Sequence, residues 1–461
     1  MAAPPTRIFT GEARTGASLW SQIPLWLLVF ATFSAAGLLQ FASVDWERPL
    51  TIYDEVPHID YTFRLADGSI TTWDDVYSQR TLGIAECLEI ASDNPQCIYG
   101  ELRDPQERWP NGYSYEALQA PIGYLPFALA DVVTIDEQGD HYSQIRQLRF
   151  VNVGLWLLFA AAWTMLIVQV TSNRLAAAAA STIVALNPLL FDRFTYVTND
   201  GPAIIASTAT SAWLIFGLRD RTLSWPRTII PALAIGIIVG LLKPTALIVL
   251  LPLLLAGWAS VRFADSTRPP MRWWLSVVLI GATGAVASFA YSAYIEARSS
   301  LDFHTVLSVI LPRGPLGLAD ASVLRLEDIS ELVTGSGARN DAVTFEWGLR
   351  SPTVWVLAFA VLGASAFLVS LTLRNAAFDR IPTLDARVLG ISVVVGFIAV
   401  LIAHPALHYV RGEFLMPFTS GRFQAPLIPL AGLVVLPAFV RFRGWAWVAI
   451  LGGLLVAAFA S

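Results

Sequence analysis

Leu118-Gln119-Ala120-Pro121-Ile122-Gly123-Tyr124-Leu125-Pro126-Phe127-Ala128-Leu129-Ala130 is the stretch on which the topology of this chain turns. It is apolar for only 13 positions, is bounded by Glu116 and Asp131, and carries Pro121 and Pro126 inside. A bilayer-crossing helix needs about 20 apolar residues, whereas a segment of about 10–14 is more often interfacial or re-entrant. The arginines arbitrate. If 118–130 does not cross, the cytoplasmic loops hold Arg174; Arg219, Arg221 and Arg227; Arg262, Arg268 and Arg272; Arg374, Arg380 and Arg387; Arg441 and Arg443. Each of those loops is short and arginine-marked, as the positive-inside rule requires. If it does cross, all of them move outside. The stretch is therefore read as a juxtamembrane helix on the outer face.

Composition supports that frame. Of 461 residues 55% are hydrophobic and only 14% are charged, against roughly 25% charged in soluble domains; mean hydropathy is +0.58. This excludes a secreted enzyme and a cytosolic two-domain enzyme. A net charge of −5 leaves no basic surface for a nucleic acid. Residues 23–42 are 20 uncharged positions behind Arg7 and Arg14, too long for a signal-peptide core and without a small-residue cleavage site. They read as an uncleaved first helix. Uncharged stretches follow at 150–170, 175–191, 201–218, 228–242, 244–261, 273–295, 351–373, 388–403, 423–440 and 444–461, which makes eleven. Two of them, 228–242 and 388–403, are short and are expected to extend into their flanks. The expected fold is an all-α polytopic bundle forming one transmembrane domain over 1–461, with a cytoplasmic N-terminus. All basic residues but Lys243 are arginine, a bias that suggests a GC-rich coding genome, and the expected location is a bacterial plasma membrane.

Three extracytoplasmic loops follow from this topology: 43–149, 296–350 and 404–422. Chemistry is expected on that side, because the cytoplasmic connectors are short. Cys87 and Cys97, the only cysteines, lie in the first loop with nine residues between them. On the oxidising side of the membrane they are read as a disulfide, the alternative being two unrelated thiols. Trp46, Trp225, Trp258, Trp273, Trp274, Trp355 and Trp445 fall at expected span ends, as in an aromatic belt. There is no P-loop, GxGxxG or GxSxG, so nucleotide-driven transport has no support.

Four charged features lie on the outer side. Tyr53-Asp54-Glu55-Val56-Pro57-His58-Ile59-Asp60-Tyr61 reads as a helix capped by Asp54 and stopped at Gly68, with Ile59, Phe63 and Ala66 on one face. It would bring Asp54 beside His58, one turn on, at the membrane surface; the plainer reading is a solvated loop with a capping Asp. Asn199-Asp200, in Tyr196-Val197-Thr198-Asn199-Asp200-Gly201, either contributes to a site or caps the next helix. Lys243-Pro244 breaks two spans, and a lysine there must face water, snorkel or pair with an anion. Arg422 opposes the positive-inside trend and calls for a local partner, such as Glu413 or a ligand. Carboxylates beside cations at a lipid–water boundary suit group transfer from a lipid phosphate. A carboxylate takes the proton of an acceptor hydroxyl, and Lys or Arg neutralises the departing phosphate.

In order and topology these motifs resemble the GT-C superfamily of lipid-phosphosugar-dependent glycosyltransferases, and most of all the domain-of-unknown-function family 2142. Asp54-Glu55-x-x-His58 looks like the acidic first-loop motif, and Gln119-Ala120-Pro121-Ile122-Gly123-Tyr124 like a degenerate His-Pro-Pro-Leu-x-Tyr segment. Arg149 opening the next span, Asn199-Asp200, Leu242-Lys243 and Gly421-Arg422-Phe423 follow in order. The resemblance implies Asp54 as catalytic base with Glu55 beside it. It implies donor-phosphate contacts from Lys243 and Arg422, and a substrate cavity that includes His58, Asn199 and Asp200. Gln119 stands where the superfamily has His, so that histidine's role does not carry over.

The implied function is inverting transfer of a sugar from a polyprenyl-phosphate carrier to an extracytoplasmic glycan, lipid or protein acceptor, in cell-envelope polysaccharide biosynthesis. The pattern fixes no cofactor. Asp54, Glu55 and Asp200 could hold a divalent metal, although oxygen ligands alone are a weak signal. His404 and His408, four apart with Glu413 following, are a weaker metal candidate without an HExxH pattern. Two rivals stand beside the transferase. One is a lipid-linked sugar transporter or flippase, for which inverted repeats and midplane charges are missing. The other is a non-catalytic envelope-assembly subunit of the same fold.

Overall fold

The computed structural model of the chain describes residues 23–42, 44, 46, 50, 55–88, 112–134, 141–220, 224–263, 269–301, 352–373, 377–410 and 423–455. Helix α1 is Leu25–Phe41, and the first loop carries α2 (Glu55–Ala66), α3 (Gln79–Leu88) and α4 (Leu125–Thr134). Then come α5 (His141–Val170), α6 (Arg174–Ala185), the single turn α7 (Pro188–Asp192), α8 (Asp200–Arg219) and α9 (Trp225–Leu242). A 3-10 segment, Pro244–Val249, leads into α10 (Leu250–Phe263), followed by α11 (Met271–Arg298) and α12 (Pro352–Thr372). A short antiparallel hairpin pairs β1 (Ala377–Phe378) with β2 (Ile381–Asp385) ahead of α13 (Ala386–Val410). After the turn Ala425–Leu427 come α14 (Ile428–Val434), α15 (Leu436–Arg441) and α16 (Arg443–Trp447), which runs on into a π-helical turn, Val448–Gly452.

Among the described residues, five helical runs are long and apolar enough to cross a membrane: α5, α8, α9, Pro244–Arg262 and α11. Shorter apolar helices occupy the remaining expected segments. The positions agree with the uncharged stretches, while eleven crossings stay an expectation. The two short stretches do extend into their flanks, to Trp225 in α9 and to Val410 in α13. Helix α5 begins at His141, so Arg149 lies inside it rather than opening it.

The deciding stretch is a 3-10 turn, Pro121–Gly123, followed by α4. At ten residues α4 is about 15 Å long, half the ~30 Å hydrocarbon thickness. It is too short to span. Leu125, Leu129, Val132 and Val133 lie on its exposed side, whereas Asp131 is buried against the Arg80 guanidinium at 2.7 and 3.0 Å.

Helix α2 starts directly after Asp54 and ends before Gly68, whose φ of +79° suits glycine. The alternative of a solvated loop is set aside, because the segment is helical and every residue from Glu55 to Phe63 is buried. Its polar groups are neutralised by neighbours instead of by water. Asp60 takes Arg64 Nε at 2.8 Å, the Ser78 N–H at 2.8 Å and the Thr81 hydroxyl at 2.9 Å. The Arg80 guanidinium lies 3.6 Å over the Phe63 ring.

Two close approaches set the bundle. Phe33 of α1 meets Trp156 and Phe159 of α5 at 5.1 and 5.0 Å between ring centroids. Gly37 makes room for this, since a Cβ there would lie 1.9 Å from Trp156 Nε1. Helices α9 and α11 touch through Gly236, Gly240 and Gly284, where a Cβ on Gly240 would lie 2.1 Å from the Gly284 carbonyl oxygen. Of the expected belt tryptophans, Trp225 and Trp258 are exposed, but Trp273 is buried and donates to the Leu214 carbonyl at 2.9 Å.

At one end of the bundle the hairpin closes over α5 and α6. Arg380 donates from its backbone to the Val170 carbonyl at 3.3 Å and from its guanidinium to the Val168 carbonyl at 2.6 Å. These are last-turn carbonyls of α5 that have no partner inside the helix. Asp379 accepts the Ser172 N–H at 2.7 Å. The polar cluster described next lies at the other end.

Candidate functional site

The chain delivers polar groups to that end from helix termini. Helix α9 stops at Leu242 because Lys243 is extended (φ −167°, ψ 114°) and Pro244 follows, which cannot continue the ladder. Lys243 is only 5% exposed. An ammonium so placed needs an anion, and it finds the Asp200 carboxylate at the start of α8. The second Asp200 oxygen lies 3.8 Å from the Arg193 guanidinium, which also pairs with Asp192 at 3.2 Å.

Asn199 occupies the N-cap position of α8, yet its side chain makes no capping hydrogen bond. It accepts instead from Lys243 at 3.3 Å and donates to Gln119 at 3.0 Å. The capping reading is thus set aside for the Asn199 side chain, which ties three segments together. Gln119, at the position where the superfamily motif has histidine, keeps a polar role of its own. The Phe423 ring centroid is 5.8 Å from the Lys243 ammonium.

Helix α2 brings His58 and Glu55 under this cluster. The Glu55 carboxylate is fully buried against Arg149, at 2.9 and 2.7 Å from Nε and Nη2, and also accepts the Val197 N–H at 3.0 Å. Such a fork-to-fork pair is geometrically specific. Arg149 further donates to the Trp46 carbonyl at 3.0 Å, and Asn152 to the Tyr196 carbonyl at 2.7 Å. Helix α5 therefore anchors both α2 and the loop that carries Thr198, Asn199 and Asp200.

His58 is buried and faces two ways. Nδ1 is 2.7 Å from the Tyr124 hydroxyl, which donates to Glu116 Oε2 at 2.9 Å; Nε2 is 3.4 Å from the Thr198 hydroxyl. Burial, reinforced by the Lys243 charge, pushes the His58 pKa down to about 3, so the ring is neutral. Burial pushes Glu116 up to about 7, against the pull of Lys243 and the Tyr124 hydrogen bond. Tyr61 packs on Tyr124 at 4.5 Å between centroids, and its hydroxyl meets that of Tyr291 on α11 at 2.9 Å.

Of the residues expected to form the site, Glu55, His58, Asn199, Asp200 and Lys243 are brought to one end of the bundle by α2, α8 and α9. Asp54 and Arg422 lie outside the described residues. The expected Cys87–Cys97 bridge also falls outside what is described. So do the His404, His408 and Glu413 side chains. Glu55 and Asp200, two of the three carboxylates that could have held a divalent metal, face Arg149 and Lys243. Among the described residues no three His, Cys, Asp or Glu side chains gather to hold a metal ion.

Sequence reading missed Glu116, Arg193 and Thr198. Glu116 served only as the charged border of an apolar stretch, and nothing in its spacing connects it to His58, which precedes it by 58 positions. The Tyr at the end of the degenerate motif was the one available signal.

No family model and no curated protein matches the chain, so membership of family 2142 has no match behind it. Among solved structures, the archaeal oligosaccharyltransferase AglB from Archaeoglobus fulgidus, in complex with an inhibitory peptide and a dolichol-phosphate, is similar over 96% of this chain and 56% of its own, with a TM-score of 0.49 and 11% identity. ArnT from Cupriavidus metallidurans bound to undecaprenyl phosphate is similar over 90% of this chain and 77% of its own, with a TM-score of 0.34 and 14% identity. The chain spans about half the length of the oligosaccharyltransferase chains it matches.

Proposed function

We propose that this chain is a GT-C-type glycosyltransferase that moves a sugar from a polyprenyl-phosphate carrier to an extracytoplasmic cell-envelope acceptor. The observation that carries the reading is Lys243. It is the only lysine of the chain, buried at a helix break, and it shares one carboxylate with Arg193. It is also close to Phe423, the last residue of the Gly421-Arg422-Phe423 motif in the sequence. A phosphate entering there meets cations that the protein has already desolvated, so their charge acts through a low dielectric.

In this reading Lys243 and Arg422 neutralise the leaving polyprenyl phosphate. Asn199 and Asp200 hold the Lys243 ammonium in place. Asp54, one residue before α2, takes the proton of the acceptor hydroxyl as that oxygen attacks the anomeric carbon in line, with inversion. Glu55 acts as a positioning residue, because Arg149 and the Val197 N–H occupy its oxygens. A transporter is disfavoured, since among the described residues the Asp200–Lys243 and Glu55–Arg149 pairs lie at one end of the bundle rather than along a midplane path. The test is Asp54→Asn in purified protein with an undecaprenyl-phosphoryl-sugar donor. Folding and membrane insertion should persist while transfer falls by at least about 10²-fold; near-normal turnover would remove Asp54 as the base.

A further inference from the structure

The roles proposed above leave one buried chain unused: Thr198, His58, Tyr124 and Glu116. The Tyr124 hydroxyl has a single proton and two partners, 2.7 Å from His58 Nδ1 and 2.9 Å from Glu116 Oε2. Donating to the carboxylate, it can only accept from His58, which selects the Nδ1–H tautomer. Nε2 is then bare and faces the Thr198 hydroxyl, whose oxygen in turn accepts the Asp200 N–H at 3.3 Å. All the donors point one way, from the Asp200–Lys243 cluster towards Glu116.

We propose that His58, Tyr124 and Glu116 are a proton relay that carries the acceptor's proton from His58 Nε2 to the Glu116 carboxylate. The proposal rests on the transferase reading. As the acceptor oxygen bonds to the anomeric carbon, the carbon–oxygen bond to the donor phosphate breaks and its electron pair leaves with the phosphate. The proton taken by Asp54 reaches Nε2 through the Thr198 hydroxyl, which gives its own proton to the ring as it receives another. His58 releases its Nδ1 proton to Tyr124, and Tyr124 releases its own to Glu116. Imidazole and phenol end neutral, with His58 in its other tautomer. Asp54 is a carboxylate again, and Glu116 has become the carboxylic acid. Charge balances, because the phosphate gains the negative charge that Glu116 loses.

The surroundings suit a store at Glu116 and nowhere else along the line. Facing it are His58 and Tyr61 from α2, Tyr124 before α4, Asp200 from α8 and Lys243 after α9, with Tyr291 of α11 reached through Tyr61. Burial keeps His58 from taking a second proton and holds the Tyr124 hydroxyl far above its usual range. Glu116, raised to about 7, is the member that changes charge near neutrality. A carboxylate of ordinary acidity holds a proton only transiently at that pH.

The test uses the full chain in lipid nanodiscs as wild type, Glu116→Gln and Tyr124→Phe. Infrared pH titration of the protonated carboxyl stretch should show a midpoint near 7. The band should vanish in Glu116→Gln and move to higher pH in Tyr124→Phe, which loses the hydrogen bond that favours the carboxylate. With a panel of undecaprenyl-phosphoryl hexose and pentose donors, wild-type kcat should rise with pH through the same midpoint, since only the ionised carboxylate accepts a proton. Both variants should lose about 10²-fold in kcat at unchanged KM, and Glu116→Gln should lose that pH limb. A Glu116 that does not titrate between about pH 5 and 8, or a Tyr124→Phe that turns over like wild type, overturns the relay. Transfer from none of these donors, with the infrared titration as expected, overturns the transferase reading instead.

Discussion

At the scale of single residues, Lys243 and Asp200 illustrate why a buried pair is kept. Bringing both charges out of water is costly, and their attraction roughly offsets that cost, so the pair adds little net stability. Removing one partner is different. Lys243→Met should destabilise the protein by about 3–5 kcal/mol, because Asp200 is left with Arg193 at 3.8 Å as its remaining cation. The double variant Lys243→Met/Asp200→Asn should recover most of that loss in thermal unfolding of the detergent-solubilised protein, yet remain inactive in transfer. A double variant no more stable than the single one would mean that the pair is not coupled. The lysine was legible in the sequence because a lone cation at a helix break has few explanations. Its partner was not. Asp200 looked equally like a helix cap, and only its 43-residue reach to Lys243 shows otherwise.

At the scale of elements, the α9–α11 contact determines where that lysine sits. Gly240 lies three residues before Lys243, and its missing Cβ lets the two backbones touch. Gly240→Ala would force a carbon to 2.1 Å from a backbone oxygen that cannot rotate away. We expect about 1–3 kcal/mol of destabilisation and a marked loss of transfer at unchanged helix content by circular dichroism. Gly154→Ala, where a Cβ meets nothing within 4 Å, is the control and should behave as wild type. Both glycines occupy uncharged stretches in the sequence, and nothing local distinguishes them. Helix α2 makes the same point. Its ends followed from Asp54 and Gly68, but a period-3.6 pattern shows one apolar face and cannot reveal that Arg149, Ser78 and Thr81 arrive to bury the polar one.

For the whole molecule, polarity is the quantity left to measure. Arg380 and Asp379 bind the ends of α5 and α6 at one end of the bundle, while Glu116, Asp200 and Lys243 gather at the other. By the positive-inside rule the arginine count leads us to expect the first end in the cytoplasm. Single cysteines at Gly139 and Trp225, in a background without Cys87 and Cys97, should react with a membrane-impermeant thiol reagent from outside and from inside respectively. Labelling of Gly139 from the cytoplasm would reverse the orientation and move the site to the other face.

Charge scarcity, read along the chain, determined by itself that this is a polytopic helical bundle and where its apolar segments lie. Hydrophobicity and arginine placement act over a single segment or loop, so a linear reading captures them. It also determined that 118–130 is too short to span, a matter of length alone. What only the tertiary structure decided is which charges meet. Glu55 is claimed by Arg149 across 94 positions, and His58 by Tyr124 across 66. Partnerships at that separation are set by how helices pack, and burial then decides which of the groups stays neutral and which can hold a proton.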